Sequence, residues 1–169
     1  EISELAVPFG VTESVRWMGQ AYAFLNFIEE AHAVNFWEAG QMGRGPGVYL
    51  RGVRLMLNWA KAPALDPQVL KLVESGATRH LRLGNISNQT TKTQIAELFK
   101  QFGEVESIYL LPNEGAALVN LTIMSNAVDA KQALDGLTLG GNAQGGPQWT
   151  LNVTYVRPQP QQQPRNTLM

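Results

Sequence analysis

Hydrophobic and polar residues alternate along several short segments of the chain, as they do in strands that bury one face. In the segment 20–27, the even-numbered residues share one face and the odd-numbered residues share the other. The even-numbered positions carry two aromatic residues flanked by two amides: Gln20, Tyr22, Phe24 and Asn26. This pattern predicts a strand that presents two aromatic rings on one side and packs Ala23, Leu25 and Phe27 on the other.

The second half of the chain shows a complete order of elements. Strands are predicted at 80–85, 105–111, 116–122 and 149–156, and helices at 91–102 and 126–134. Thr91 followed three residues later by Gln94 is a capping-box pattern, and Gly103 is a typical helix end. The order βαββαβ predicts an α+β fold of the ferredoxin-like type, a four-stranded antiparallel sheet backed by two helices.

The first half of the chain repeats the second. Residues 1–10 align with 94–103, residues 23–27 with 117–121, and residues 55–59 with 151–155. A repeat of this length predicts two copies of one domain, because solenoid repeats have about 20–50 residues. The first copy has no counterpart of residues 79–93. We therefore expect it to lack its opening strand, with either a foreign segment or an open groove in that place; an open groove would indicate a fragment of a longer protein.

These patterns predict four parts. They are a first domain truncated at its N-terminus (1–61), a linker with a short helix (62–78), a complete second domain (79–157) and a disordered Pro/Gln-rich tail (158–169). The linker helix begins at Asp66 and Pro67, a pairing typical of helix starts, and ends at Gly76. Its apolar stripe predicts that it packs on a domain and holds the two domains in a preferred orientation.

Composition and charge narrow the possible functions. The hydrophobic content of 44% is ordinary for a globular chain, and no segment is long and apolar enough for a membrane span. The absence of cysteine excludes disulfides and thiolate metal sites and fits an intracellular protein of the cytoplasm, the nucleus or both. His32 and His80 share no ligand pattern, so we predict no enzyme, no metal site and no cofactor.

The segment 20–27 resembles the longer signature of the RNA recognition motif (RRM), K/R-G-F/Y-G/A-F-V-x-F/Y. Gln20 and Ala21 depart from it, and the other positions meet it or change it conservatively. The junction segments 52–55, 58–61, 74–79 and 83–86 are similar to fungal multi-RRM proteins of the negative-regulator-of-differentiation type. This resemblance implies two tandem RRMs that bind single-stranded mRNA and act in post-transcriptional regulation.

The resemblance also implies which residues contact RNA in the first domain. Tyr22 and Phe24 would stack on bases, with Gln20 and Asn26 beside them. Neighbouring strands would add further contacts: Arg16, Met18, Asn58 and Lys61. Trp17 and Trp59 fall on the inward-facing positions, and we expect both in the core.

The second domain departs from the RRM signatures. Arg82 stands where the short signature has an aromatic residue, and Ala116 and Leu118 replace the two stacking aromatics. Because each base–aromatic stack contributes about 1–3 kcal/mol, this face should bind RNA more weakly. The candidate contacts that remain on this side are Arg82, Tyr109, Asn120, Thr154 and Arg157. Alternatively, the face binds a protein partner, covers a linker or contacts the neighbouring domain.

Two functions fit these patterns. The first is binding of single-stranded RNA by tandem RRMs, and the second is an RRM-derived protein–protein interaction module with little RNA affinity. The net charge of −1 argues against a strong, charge-driven nucleic-acid binder. The basic residues expected along the RNA path are few: Arg16, Arg54, Lys61, Arg79, Arg82 and Arg157.

Overall fold

The computed structural model describes residues 2–19, 21–62, 64–140 and 148–157. Within these ranges the helices are α1 (Ile2–Ala6), α2 (Glu30–Gly40), α3 (Pro67–Glu74), α4 (Lys92–Phe99) and α5 (Met124–Leu134). The strands are β1 (Thr12–Met18), β2 (Tyr22–Phe27), β3 (Tyr49–Leu50), β4 (Val53–Arg54), β5 (His80–Gly84), β6 (Val105–Leu111), β7 (Ala116–Leu121), β8 (Thr138–Gly140), β9 (Gln148–Thr150) and β10 (Asn152–Tyr155). None of these helices is both long enough and apolar enough to cross a membrane. The predicted tail and most of the Gly-rich loop before β9 lie outside the described residues.

The second domain has the predicted α+β architecture. Its four strands form an antiparallel sheet in the order β10–β5–β7–β6. Leu81 and Leu83 of the central strand β5 have no exposed surface, and they pack with Ile95 and Phe99 of α4. The helix begins with the predicted capping box. The backbone N–H of Gln94 donates to Thr91 Oγ1 over 3.3 Å, and the backbone N–H of Thr91 donates to Gln94 Oε1 over 2.9 Å.

The first domain has no four-stranded sheet among the described residues. β1 pairs with β2, and the short strands β3 and β4 pair only with each other. The expected last strand around Leu55 and Leu57 is irregular chain without a ladder. A strand is defined by hydrogen bonds to a neighbour, and among the described residues β2 forms a ladder with β1 alone.

A groove of about 300 Å³ lies where the sequence predicts a gap. One side is formed by β2, and the other by the segment 56–60. Aromatic and aliphatic side chains line it, among them Leu25, Phe27, Phe36, Leu57 and Trp59. The expectation that Trp59 is a core residue is wrong: it is 55% exposed and packs on the Trp37 ring with centroids 5.8 Å apart, because the segment that carries it forms no ladder with a neighbouring strand.

The expectation that Trp17 is a core residue is also wrong. Trp17 is 43% exposed and lines a cleft of about 620 Å³ together with Val53 and Tyr109. Its ring falls on the inward side of β1, but that side opens onto the cleft instead of a packed helix layer.

The linker helix α3 joins the two domains, as its apolar stripe predicts. The Asp66 carboxylate caps it by accepting from the Gln68 amide over 2.8 Å. Val69 is buried in a cluster with Met124 and Val128 of the second domain. Val11 and Ile28 of the first domain pack against the same cluster, so one apolar contact includes both domains and the linker.

A buried arginine forms the polar half of this interdomain contact. The Arg79 guanidinium has no exposed surface and donates to Thr12 Oγ1 of the first domain from Nε (3.1 Å) and Nη2 (3.0 Å). Its Nη1 donates to Glu106 Oε2 at 3.3 Å and to the Leu121 carbonyl oxygen. Burial lowers the pKa of Arg79, and the adjacent Glu106 carboxylate opposes that shift. The expectation that Arg79 lies along an RNA path is therefore wrong, because no part of its side chain reaches solvent.

Replacing Arg79 with methionine should destabilise the protein by about 3–5 kcal/mol, because it removes the buried cation that pairs with the Glu106 carboxylate. Chemical denaturation measures the loss. Arg82→Ala is the matched control, since Arg82 lies on the same strand in a partly exposed pair with Glu114 and should cost at most about 1 kcal/mol. An equal loss in the two variants would contradict a structural role for Arg79.

The groove beside β2 should accept an added strand. In the internal repeat β2 corresponds to β7, and β7 pairs antiparallel with β5. We therefore expect a separate peptide with the sequence of residues 79–86 to pair with the open edge of β2 and to slow hydrogen exchange of the β2 amides that face the groove. A peptide with aspartate in place of Leu81 and Leu83 is the control. The same exchange rates with both peptides would show that the groove does not select a strand.

Candidate nucleic-acid interface

The sheet face of the first domain carries an exposed aromatic pair. Tyr22 is 55% exposed and Phe24 is 38% exposed, and their rings meet edge to face with centroids 5.6 Å apart. The antiparallel register of β1 and β2 places Met18 opposite Tyr22 and Arg16 opposite Phe24. Alternation along two paired strands thus brings four of the predicted site residues onto one open surface.

The other predicted residues of the first domain surround this pair less closely. Asn26 is half-buried, and its Nδ2 donates to Ser14 Oγ over 2.9 Å. Asn58 is exposed and lines the groove together with Phe24 and Asn26. Lys61 is exposed beyond it, and Gln20 lies outside the described residues.

The corresponding face of the second domain is polar and carries few rings. The strand registers align one residue from each strand in a row across the sheet: Thr154, Arg82, Leu118 and Tyr109. Tyr109 is the aromatic member of the row, and it stands on the edge strand β6. Arg82 donates from Nη2 to Glu114 Oε2 over 3.1 Å, with 36% and 58% of the two side chains exposed.

In a second row of residues on this face, the side chains are hydrogen-bonded to one another. His80 Nδ1 lies 2.8 Å from Asn120 Oδ1, and Asn120 Nδ2 donates to Ser107 Oγ over 2.8 Å. Burial and then the nearby Arg79 charge lower the pKa of His80, which favours the neutral form of its ring. Asn120 therefore has both ends of its amide engaged within the sheet.

The helix α1 of the first domain contacts the edge of this face. The Tyr109 hydroxyl donates to Glu4 Oε1 over 2.9 Å, and Ser3 Oγ donates to Glu106 Oε1 over 2.8 Å. Burial and the bond to Glu4 raise the pKa of Tyr109. Contact with the neighbouring domain, one of the alternatives that the sequence leaves open, is thus present at the β6 edge.

Only some of these side-chain contacts could be predicted from the sequence. Glu114 occupies the basic position of the RRM signature, and that acidic residue is what pairs with Arg82. No local pattern predicts the contact of Glu4 with Tyr109, because the two residues are 105 positions apart in the chain. Arg157 is exposed and borders a cavity of about 190 Å³ between the domains, beside Thr78 and His32.

Comparison with known proteins identifies the second domain. The RNA recognition motif family matches residues 81–144. Over these residues the second domain is similar to the RRM family. This match confirms the family resemblance that the sequence predicts.

The relatives are longer proteins. The chain is 29% identical over 134 residues to the RNA-binding protein MRN1 of Saccharomyces cerevisiae, a match that covers 73% of this chain and 21% of MRN1. It is 34% identical over 88 residues to the meiotically up-regulated gene 24 protein of Schizosaccharomyces pombe, covering 52% of this chain and 14% of that protein. The chain thus spans about a fifth or less of these two relatives. Among solved structures, the RRM domain of S. pombe Puf1 is 28% identical, with a TM-score of 0.40 over 47% of this chain and 99% of that one.

Proposed function

We propose that this chain binds single-stranded RNA through the sheet faces of two tandem RRMs and acts in post-transcriptional control of mRNA, in the nucleus, the cytoplasm or both. The observation that carries the proposal is the exposed pair Tyr22 and Phe24 on the open face of β2. Unpaired bases stack on aromatic rings that stand on a sheet, and any base offers a face for such stacking.

The surroundings of the aromatic pair support the same function. Arg16 lies opposite Phe24 and is exposed, which places a cation where a phosphate would pass a stacked base. Met18 is 43% exposed opposite Tyr22 and extends the apolar surface. Neither ring lies in the core of the domain, so both are available to a ligand.

The relatives support extending the proposal to the first domain. MRN1 is named an RNA-binding protein, and its match covers 73% of this chain. That share exceeds the linker, the second RRM and the tail taken together, so the similarity continues into the first domain. The internal repeat likewise relates the first domain to the second domain.

The two domains should contribute unequally. The first face presents two rings and an exposed arginine, whereas the second presents Arg82 in a pair with Glu114 and a single ring at its edge. A guanidinium plane stacks a base, but Arg82 must first leave Glu114 to do so. The first domain therefore carries most of the proposed RNA affinity.

Alanine at Tyr22 or at Phe24 should weaken RNA binding by about 1–3 kcal/mol each, the contribution of one base–aromatic stack. Arg82→Ala should cost less. Fluorescence anisotropy with a short unstructured RNA measures all three variants. Tyr49→Ala is the matched control, because Tyr49 is a similarly exposed tyrosine (46%) on β3, a strand that does not pair with β1 or β2.

Two results would contradict this division. If Arg82→Ala proved the most damaging change, the ranking of the two faces would be wrong. If the Tyr22→Ala, Phe24→Ala double variant bound RNA as tightly as the unmodified protein, or if neither bound RNA, the protein-interaction alternative would take its place.

RNA affinity should fall only weakly with salt. Arg79 is buried and Arg54 donates to the Gly40 carbonyl oxygen over 3.2 Å, which leaves Arg16, Lys61, Arg82 and Arg157 along the proposed path. About two to four phosphate contacts on a single strand give a slope of log K against log salt of about −1.5 to −3. Binding measured over a range of salt concentrations tests this, and a slope steeper than about −5 would reveal a basic surface elsewhere.

A further inference from the structure

A pocket of about 480 Å³ opens on the second domain, on the side of its sheet that carries the helices. Leu83 and Leu151 form its floor, and both belong to the core beneath α4. Arg82, the neighbour of Leu83 on β5, lies on the opposite face of the sheet because side chains alternate along a strand. The pocket is therefore separate from the sheet face through which we propose that RNA binds.

Apolar side chains from three elements form the walls of the pocket. α4 supplies Leu98, the loop after β5 supplies Ile86, and the hairpin of β8 and β9 supplies Leu139 and Trp149, which lie opposite each other in its register. All four pack against the core but are only partly buried. Contiguous apolar surface marks an interaction site, and ligand pockets usually have volumes of about 300–1,000 Å³.

Hydrogen bonds hold these walls in place. Asn85 Nδ2 donates to the Thr150 carbonyl oxygen over 2.7 Å, which fixes the hairpin beside the end of β5. The backbone N–H of Ile86 donates to the Gly115 carbonyl oxygen over 2.9 Å, which fixes the loop. A pocket that is formed before its ligand binds loses less conformational entropy on binding.

The rim of the pocket is polar but uncharged. Gln94 Oε1 accepts from the backbone N–H of Thr91 over 2.9 Å in the capping box, which orients the side-chain amide and leaves Nε2 as a donor. Ser87 Oγ accepts from the backbone N–H of Gln89 over 3.2 Å, and its O–H is a second donor. Among the described residues neither donor has an acceptor. An uncharged ligand with free carbonyl oxygens fits this rim, because a charged group would lose its hydration there without a counter-ion.

The tail of the chain, residues 158–169, has this chemistry. Its first part, 158–164, contains three prolines and no charged residue, and its large apolar residues are Leu168 and Met169. Proline has no backbone N–H and favours the polyproline II conformation, in which the carbonyl oxygens have no partner within the segment. The tail therefore combines free acceptors with two side chains that suit an apolar pocket.

The tail is also long enough to reach the pocket. As a Pro-rich segment, residues 158–169 span about 37 Å at about 3.1 Å per residue. The pocket residue Leu151 directly precedes β10, so the distance from Arg157 back along that strand to the pocket is about 20 Å at about 3.3 Å per residue. The Pro/Gln-rich part covers this distance, and Leu168 and Met169 lie in the part that remains.

We propose that the pocket binds the tail of its own chain, with Leu168 and Met169 against Leu98 and Trp149 and with tail carbonyl oxygens accepting from the two rim donors. Attachment to the same chain gives the tail a high effective concentration at the pocket. The contact removes apolar surface of both parts from water. It does not rest on the proposed function, since it lies on the other side of the sheet.

A spin label on the tail tests this contact in the whole chain. The sequence has no cysteine, so Asn166→Cys provides a single attachment site for a nitroxide. In two-dimensional NMR spectra, the signals of Leu98, Leu139 and the Trp149 indole should lose intensity while the nitroxide is oxidised and recover it on reduction. The signal of Thr154, on the opposite face of the sheet, should keep its intensity. An equal loss on both sides of the sheet would contradict the proposal.

Two double variants of the tail show whether its apolar residues make the contact. Leu168→Asp with Met169→Asp should abolish the loss of signal, because carboxylates would be desolvated in an apolar pocket. Gln159→Asp with Gln161→Asp is the matched control, which adds the same charge where the tail only spans the distance and should preserve the loss. Neither change touches the core residues of the second domain, so both variants should fold. The same result for the two double variants would overturn the proposal.

A mixed sample identifies the source of the tail. Isotope-labelled protein without a nitroxide is combined with spin-labelled protein that is invisible in the spectrum. The pocket signals should keep their intensity in this mixture. A loss as large as that within one chain would mean that a second copy supplies the tail, and the proposal would be wrong. RNA binding by the Tyr22→Ala variant is measured separately, so failure of the tail contact leaves the proposed function standing.

Discussion

The arrangement of this molecule depends on one buried cation. Arg79 stands immediately before β5, and its guanidinium reaches Thr12 of the first domain and Glu106 and Leu121 of the second. A guanidinium removed from water is tolerated only when its donors are satisfied and its charge is paired. Because Thr12 lies in one domain and Glu106 and Leu121 in the other, the buried Arg79 side chain keeps all of these partners only when the two domains are in contact. The apolar cluster around Val69 adds buried area to the same contact. It contributes little to the relative orientation of the domains, since apolar packing is not directional.

This contact determines what each sheet face presents. It brings α1 against the β6 edge, so that Glu4 receives a hydrogen bond from Tyr109 and part of the second face is covered by protein. It leaves the Tyr22 and Phe24 pair of the first face open. The inequality between the faces therefore has two sources: the second domain lacks stacking residues in its own sequence, and its remaining ring is engaged at the interdomain edge.

The groove beside β2 shows how strongly a sheet depends on its central strand. In the second domain, β5 bonds to β7 on one side and to β10 on the other, and Leu81 and Leu83 fill the core beneath. In the first domain a groove lies beside β2. The chain at 55–60 forms no ladder, and Trp59 rests against Trp37 at the surface instead of in a core.

The sequence by itself determined the features that short-range patterns encode. The strands at 22–27 and 80–84, the capping box at Thr91 and the start of the linker helix at Asp66 depend on neighbours in the chain, and the structure has each of them. The sequence also shows that Arg82, Ala116 and Leu118 replace stacking aromatic residues, because aligning the chain with the RRM signatures is enough to see these changes. Tertiary structure alone decided that Arg79 is buried, that Trp17 opens onto a cleft, that Glu4 meets Tyr109 and that 55–60 is not a strand. Each of those outcomes depends on a partner far away in the chain. Alternation along a strand tells which residues share a face, but that face is buried only when another layer packs against it.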